Sequence, residues 1–225
     1  QDASTASGNG SDLVAAIVTG ELAPGDALPP ESTLSQRFGV SRTVIRESVK
    51  RVEEKGLVTV AQGRGTTVNA PTAWNVLDPI VLSALVDHDD TLGVLDELSI
   101  VRGSLESSMA AAAAARQNPQ RSADLTRAFE ETERTMNDIE AYADADARFH
   151  YLVMEQSGNR LAANITQILF QRARVSRRFT GTASPEAVQL TLEEHRAILD
   201  AITAGDSEAA SRAMHDHIAR AWERR

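Results

Sequence analysis

Apolar positions recur along this chain in two rhythms. Up to about residue 69 they outline three short helices and a β-hairpin, and after about residue 76 they keep a helical period to the end. In the first part Ser11 can cap a helix through Leu13, Ile17 and Val18, which Gly20 stops. APGDALPPE reads as a loop in which Pro29 and Pro30 force an extended path. Glu31 to Phe38 forms a short helix with Leu34 and Phe38 inward, closed by Gly39. Ser41 caps the next helix, whose Val44, Ile45, Val49 and Val52 share one face, and Gly56 ends it. LVTVAQGRGTTVNA then reads as two short strands around Gln62-Gly63-Arg64-Gly65. This order of elements predicts a winged helix-turn-helix.

The second rhythm predicts helices near 77–88, 92–115, 120–137, 140–156, 159–178, 187–204 and 207–223. Breaks fall at Asn118-Pro119, Gly158-Asn159, Gly181 through Pro185, and Gly205-Asp206. The expected fold is mainly α. Residues 1–10, polar and rich in small side chains, form a disordered tail; 11–69 form a winged helix-turn-helix with a small β-wing; 70–76 are a linker; 77–225 form an all-α helical bundle. Hydrophobic residues make up 42% and aromatics only 4%, and the alanine run 110–115 suits close helix packing rather than a β-rich core. With no cysteine, disulfides, thiolate-bound zinc and thiol nucleophiles are excluded. No stretch approaches the roughly 18 apolar residues of a membrane span, and the opening segment does not read as a signal peptide. A cytoplasmic protein without membrane association is expected.

The net charge of −9 argues against nucleic acid only while it is taken as one number. Residues 32–70 hold seven basic side chains (Arg37, Arg42, Arg46, Lys50, Arg51, Lys55, Arg64) against three acidic ones (Glu47, Glu53, Glu54), a net of +4, so the remainder carries −13. A basic segment on an acidic body is the asymmetry expected when one part faces phosphates. In a helix-turn-helix the start of the second helix meets the major groove. Here it opens with Ser41, Arg42, Thr43 and Arg46. Arg42 and Arg46 are one turn apart, opposite the apolar face, and arginine suits bidentate contact with guanine or phosphate. Gly63 lets the wing approach a minor groove with Arg64 at its tip. For any single arginine a solvated helix face is the simpler reading.

A second set of residues points to a metal. Asp146 and His150 are one turn apart and share a face with Phe149 and Val153. His195 lies on the apolar stripe with Leu192, Leu199 and Ile202, and His217 on the stripe Ala210, Ala213, Met214, Ala221. His215 is rotated about 200° from His217 onto a polar face. In a hairpin about Gly205-Asp206, His195 and His217 come nearly level. One inward histidine is usually a hydrogen-bonded core residue. Three with one aspartate, unpaired, would cost several kcal/mol, whereas the set suits a divalent metal, zinc first, with nickel and manganese as alternatives.

Motifs in both halves match known families. I-x2-G-x-L-x-P-G-x-x-L-P at 17–29, G-V-S-R-x-x-x-R-E at 39–47 and G-x-G-T-x-V at 63–68 resemble the GntR-family DNA-binding domain. The chain departs from that pattern at Ser32, where many relatives carry a basic residue. D-A-R-F-H at 146–150, S-G-N at 157–159, E-E-H-R-A-I-L-D-A-I at 193–202 and A-x3-A-M-x-x-H-I at 209–218 resemble the FCD ligand-binding domain of the FadR-type GntR subfamily. The resemblance implies a homodimeric, effector-responsive transcription regulator, most often a repressor, that binds double-stranded DNA at a palindromic operator. It also implies a metal held by Asp146, His150, His195 and His217, beside a small carboxylate effector. Arg102 falls in DELSIVRGSLE, where the family commonly has E-x-x-R-x-x-L-E. An inner-face arginine there is suited to clamp a carboxylate, the alternative being an ion pair with Asp96, Glu97 or Glu106. Asn159 and Thr191 can line the pocket or cap helices. The segment WNVLDPIVL resembles a W-N-x-L-D-P element of members that respond to sugar acids such as aldonates.

Two other function classes compete. An open His₃Asp metal could activate water for hydrolysis, but Asp144, Glu155, Glu193 and Glu194 fall on polar faces or helix starts, leaving no inward base. A protein-binding adaptor would not need arginines at the head of the recognition helix.

Overall fold

The computed structural model describes residues 3–89, 91, 93–175 and 184–224. They fall into two compact units that meet at 92/93. The first contains α1 (Ala3–Val18), α2 (Glu31–Phe38), α3 (Arg42–Glu54), the strands β1 (Val58–Ala61) and β2 (Gly65–Val68), a single 3-10 turn at Pro71–Ala73, and α4 (Pro79–Asp87). Gly39, with φ 67°, closes α2, and Ser41 caps α3 by accepting from Val44 N–H at 3.3 Å. The strands pair antiparallel with Ala61 opposite Gly65, and Gly63 takes the φ of 77° that the tip requires. The loop after α1 runs along the hairpin: Leu28 N–H donates to Thr66 O and Val68 N–H to Asp26 O. Leu13, Val14, Ile17, Val52, Leu57 and Val68 form the core of this unit. At Gly56 (φ 76°) a Cβ would lie 2.3 Å from Ala73 O, so glycine is required both for the turn and for the close chain crossing.

Two boundaries differ from expectation. The first helix starts at Ala3, so residues 3–10, expected as a disordered tail, continue it, and Ser11 is interior rather than its cap. Leu13, Val14 and Ile17 bury one face, and once such a turn is anchored each added residue costs little. The helix expected to open the second domain at residue 77 belongs instead to the first unit, because Val81 and Ala84 of α4 join the core of α1. The segment 70–76 is therefore internal to that unit. Trp74 Nε1–H donates to Asn69 O at 3.1 Å, Asp78 caps α4, and the same carboxylate pairs with Lys55 at the C-terminus of α3. The tryptophan and aspartate of the W-N-x-L-D-P element are thus spent within the first unit.

The second unit is helical: α5 (Gly93–Ala114), α6 (Pro119–Thr135), α7 (Ile139–Gln156), α8 (Arg160–Val175), α9 (Pro185–Thr203) and α10 (Ser207–Glu223). Helix starts follow one device, since Asn118, Asp138, Ser184 and Asp206 each accept a backbone N–H from three residues on. Most of the Gly181–Pro185 break and the last residues of the 159–178 helix lie outside the described residues. Ala110, Ala113 and Ala114 of α5 are buried in a core with Met214 and Ile218 of α10, the close packing that the alanine run predicted. Phe129, Phe149, Ile198 and Ile202 fill the rest of this core.

Candidate metal centre and nucleic-acid interface

Three helices bring three histidines to one point. His150 stands on α7, His195 on α9 and His217 on α10, all buried. Their Nε2 atoms form a triangle with sides of 3.3 Å (His150–His195), 3.3 Å (His195–His217) and 3.2 Å (His217–His150). Asp146, one turn before His150, places Oδ1 3.6 Å from His195 Nε2 and is the more open member, 24% exposed. His215 is exposed, as its rotation predicts.

Two glutamates stand behind the ring. His150 Nδ1 lies 2.6 Å from Glu106 Oε2, whose other oxygen accepts from Arg102 Nε at 2.8 Å. His217 Nδ1 lies 2.9 Å from Glu194 Oε2, and the Arg224 fork holds that carboxylate at 2.8 and 2.7 Å. Burial by itself would raise both carboxyls. The cations and hydrogen bonds around them outweigh it and bring each to about 2. Both are therefore ionised acceptors, so the proton sits on each imidazole Nδ1 and the Nε2 lone pair faces the triangle. His195 is held differently: its ring stacks on Phe149 at 4.7 Å, and its buried Nδ1 has no hydrogen-bond partner. Burial, reinforced by the neighbouring rings, lowers the pKa of His195 well below the usual value and that of His217 as well.

The residues fit a divalent cation. Glu106 and Glu194 fix two of the three Nε2 atoms as lone pairs, so at most His195 could offer a bridging proton, too few to satisfy the triangle. Nitrogens bound tetrahedrally to one zinc ion at about 2.0–2.1 Å stand about 3.3–3.4 Å apart, close to the edges found here. Histidine donors joined by one carboxylate suit zinc, with nickel and manganese also compatible.

The other expected residues divide. Arg102 is nearly buried, holds Glu106, and stacks its guanidinium over Phe170 at 4.0 Å. The ion-pair alternative therefore holds for its Nε. Thr191 is interior to α9, not a cap; it donates to Ala187 O and accepts from Arg224. Asn159 is exposed and caps α8 by accepting from Ala162 N–H at 3.1 Å through its amide oxygen. Sequence reasoning missed Arg224 and the backing role of Glu106. It also put Glu194 on a polar face, whereas that side chain is only 11% exposed and faces His217. Glu106 did carry a signal, a charged residue on the buried stripe Leu98, Met109, Ala110, Ala113.

In the first unit Arg42, Thr43 and Arg46 are exposed at the head of α3, opposite buried Ile45, Ser48 and Val52. Arg46 is pre-set by Glu31 of α2, with Nε and Nη2 at 3.0 and 2.9 Å from its two carboxylate oxygens. Ser32, at the position where relatives carry a basic residue, is half-buried. Arg64 is exposed at the wing tip beside Gly63.

Comparison with known proteins covers most of the chain. The family described as bacterial regulatory proteins, gntR family, matches residues 10–68, and the FCD domain matches 97–220. The galactonate operon transcriptional repressor of Escherichia coli K12 is 32% identical over 210 residues, covering 92% of this chain and 91% of the relative. The transcriptional regulator LutR of Bacillus subtilis is 30% identical over 210 residues, covering 90% and 92%. Among solved structures, Lar, which controls expression of the Listeria monocytogenes agr system, superposes with a TM-score of 0.60 at 22% identity, covering 97% of this chain and 95% of that one.

Proposed function

Because the chain belongs to the gntR family of bacterial regulatory proteins and carries an FCD domain, it is a DNA-binding transcription regulator rather than an enzyme, and we propose that a divalent metal and a small carboxylate in its second unit control that binding. The observation that carries this reading is the triangle of three inward Nε2 atoms. His150, His195, His217 and Asp146 would hold the metal, zinc first, which supplies a Lewis-acidic anchor for carboxylate oxygens. The protein is a repressor released by its effector, acting in the cytoplasm, and no helix among the described residues is long and apolar enough to cross a membrane. A hydroxy or sugar acid is preferred, because hydroxyls beside a carboxylate add chelation and the galactonate operon repressor is among its relatives. The effector shifts DNA binding only by its differential affinity for the two states. A thermal-shift screen of hydroxy, sugar and fatty acids, with and without chelator, tests this. Stabilisation that needs both metal and acid supports it, and indifference of the metal-loaded protein to every acid refutes it.

Ser41, Arg42, Thr43 and Arg46 would meet the operator's major groove, with Gly63 and Arg64 at the adjoining minor groove. Arg42→Ala or Arg46→Ala should each cost about 1–3 kcal/mol of specific affinity, and Arg64→Ala should weaken binding evenly across sequences. Gel-shift titrations at two salt concentrations measure both effects; parental affinity in both recognition-helix variants would sink the docking. As a homodimer reading a two-fold site, the protein should lose affinity when one half of a palindromic operator is scrambled.

Arg102 is the proposed clamp for the effector carboxylate, with Thr191 beside the metal. Among the described contacts only Nε–H of Arg102 is used in a hydrogen bond, by Glu106. Truncating Arg102 to alanine would also disturb Glu106 and His150, so Arg102→Lys, which keeps the charge and loses the fork, is the cleaner variant. It should retain metal and DNA binding while the acid concentration needed for release rises about tenfold, or ~1.4 kcal/mol. Unchanged sensitivity would leave Arg102 a supporting role only.

A further inference from the structure

Among the described residues, three buried side-chain polar atoms lack a hydrogen-bond partner: His195 Nδ1, Thr166 Oγ1 and the Tyr142 hydroxyl. Tyr142 is the one that points to a ligand. It stands on α7 one turn before Asp146 and two before His150, so the three share a face. The residue is buried, 9% exposed. Its electrostatic neighbours are Asp146, Thr191, Arg224 and Glu194, the side chains around the more open edge of the histidine cluster. Thr191 adjoins the phenol, but its own proton goes to Ala187 O, and no hydrogen bond of normal length and angle joins the two. Burial raises the pKa of the phenol, with Asp146 adding to the effect, so it is a neutral donor at physiological pH.

We propose that the Tyr142 hydroxyl reads a hydroxyl group of the bound acid, making this residue a determinant of hydroxy-carboxylate over plain carboxylate ligands. The assignment rests on the carboxylate-binding reading given above. Chemistry selects the partner. A second carboxylate placed at the phenol would lie against the side chains of Asp146 and Glu194, acidic groups that disfavour it. A hydroxyl can accept from Tyr142 and donate to one of those carboxylates at once, so both sides of the pair are satisfied. A site built to hydrogen-bond a hydroxyl rejects the analogue lacking it, because its own buried group is then left unpaired.

The test uses the full-length, metal-loaded protein and a panel of lactate, glycerate, gluconate and galactonate, each titrated calorimetrically beside its deoxy counterpart (propionate or hexanoate). The wild type should prefer the best hydroxy acid over its counterpart by more than about tenfold, and Tyr142→Phe should lower that preference about tenfold by weakening the hydroxy acid alone, leaving the part that metal chelation supplies. Metal content and DNA binding should not change, and Tm in the absence of acid should hold or rise, since an unpaired buried hydroxyl has been removed. A preference undiminished in Tyr142→Phe overturns the assignment. So does a Tm lowered by several degrees without ligand, which would mean that the phenol is already paired and serves the fold. A wild type that binds no acid at all refutes the carboxylate reading first, and this assignment with it.

Discussion

Replacing His217 with alanine should strip the second unit of the proposed metal, while replacing His215, two residues away on the same helix, should leave metal content unchanged. His217 closes two sides of the Nε2 triangle, and His215 is exposed on the opposite face of α10. Loss of a partner one shell further out already weakens metal binding about 10–100-fold, so loss of a ligand should cost at least about 100-fold. A metal present at a thousand times its Kd adds roughly 4 kcal/mol to folding stability. The His217→Ala variant should therefore melt on the order of 10 °C lower and no longer respond to chelator. Elemental analysis of purified variants, with melting curves before and after chelation, measures both. Equal behaviour of the two variants would refute the placement of the ligands.

Glu106→Ala should destabilise the protein by about 3 kcal/mol even without metal, because it leaves the Arg102 guanidinium and the His150 N–H unpaired in a nearly dry site. Glu106→Gln, which keeps the volume but not the charge, should lie between that variant and the wild type, with metal affinity lowered about 10–100-fold. The pH dependence has a definite sign. The folded protein lowers the Glu106 carboxyl from 4.5 to about 2. Its ionisation therefore contributes stability above pH 4.5, and that contribution disappears as pH falls from about 4.5 to about 2. In chelated samples, the stability gap between wild type and Glu106→Gln should shrink across this window. A constant gap would mean that the charge of Glu106 contributes nothing.

Both domains were readable from the chain because their determinants are local. Helix caps such as Ser41, Asn118 and Asp206, and the glycine at the wing tip, act on backbone groups within a few residues. The histidines were legible because each interrupts an apolar stripe, and a face is a local property. Residues that act across helices were not. Glu106 is named as a partner for Arg102 by spacing alone, but its pairing with His150 joins residues 44 apart in the chain. Glu194 looks polar beside Glu193, and only the approach of α10, with Arg224 and His217, makes its position inward. The helix start at Ala3 was missed for a different reason: small polar residues carry no periodicity, so nothing in 3–10 marks a helix that an anchored neighbour extends.

The assignment of α4 to the first unit bears on how the chain could be divided. A cut in the segment 70–76, where composition alone would place it, removes Val81 and Ala84 from the core formed with Leu13 and Val14. Burying a valine side chain is worth roughly 1.5–3 kcal/mol, out of a total of about 5–15 kcal/mol for a typical domain. The same cut deletes Asp78 and so orphans Lys55 at the end of the recognition helix. A DNA-binding fragment that ends before Pro79 would expose a hydrophobic furrow and invite aggregation, whereas one that runs through Asp87 carries its own lid.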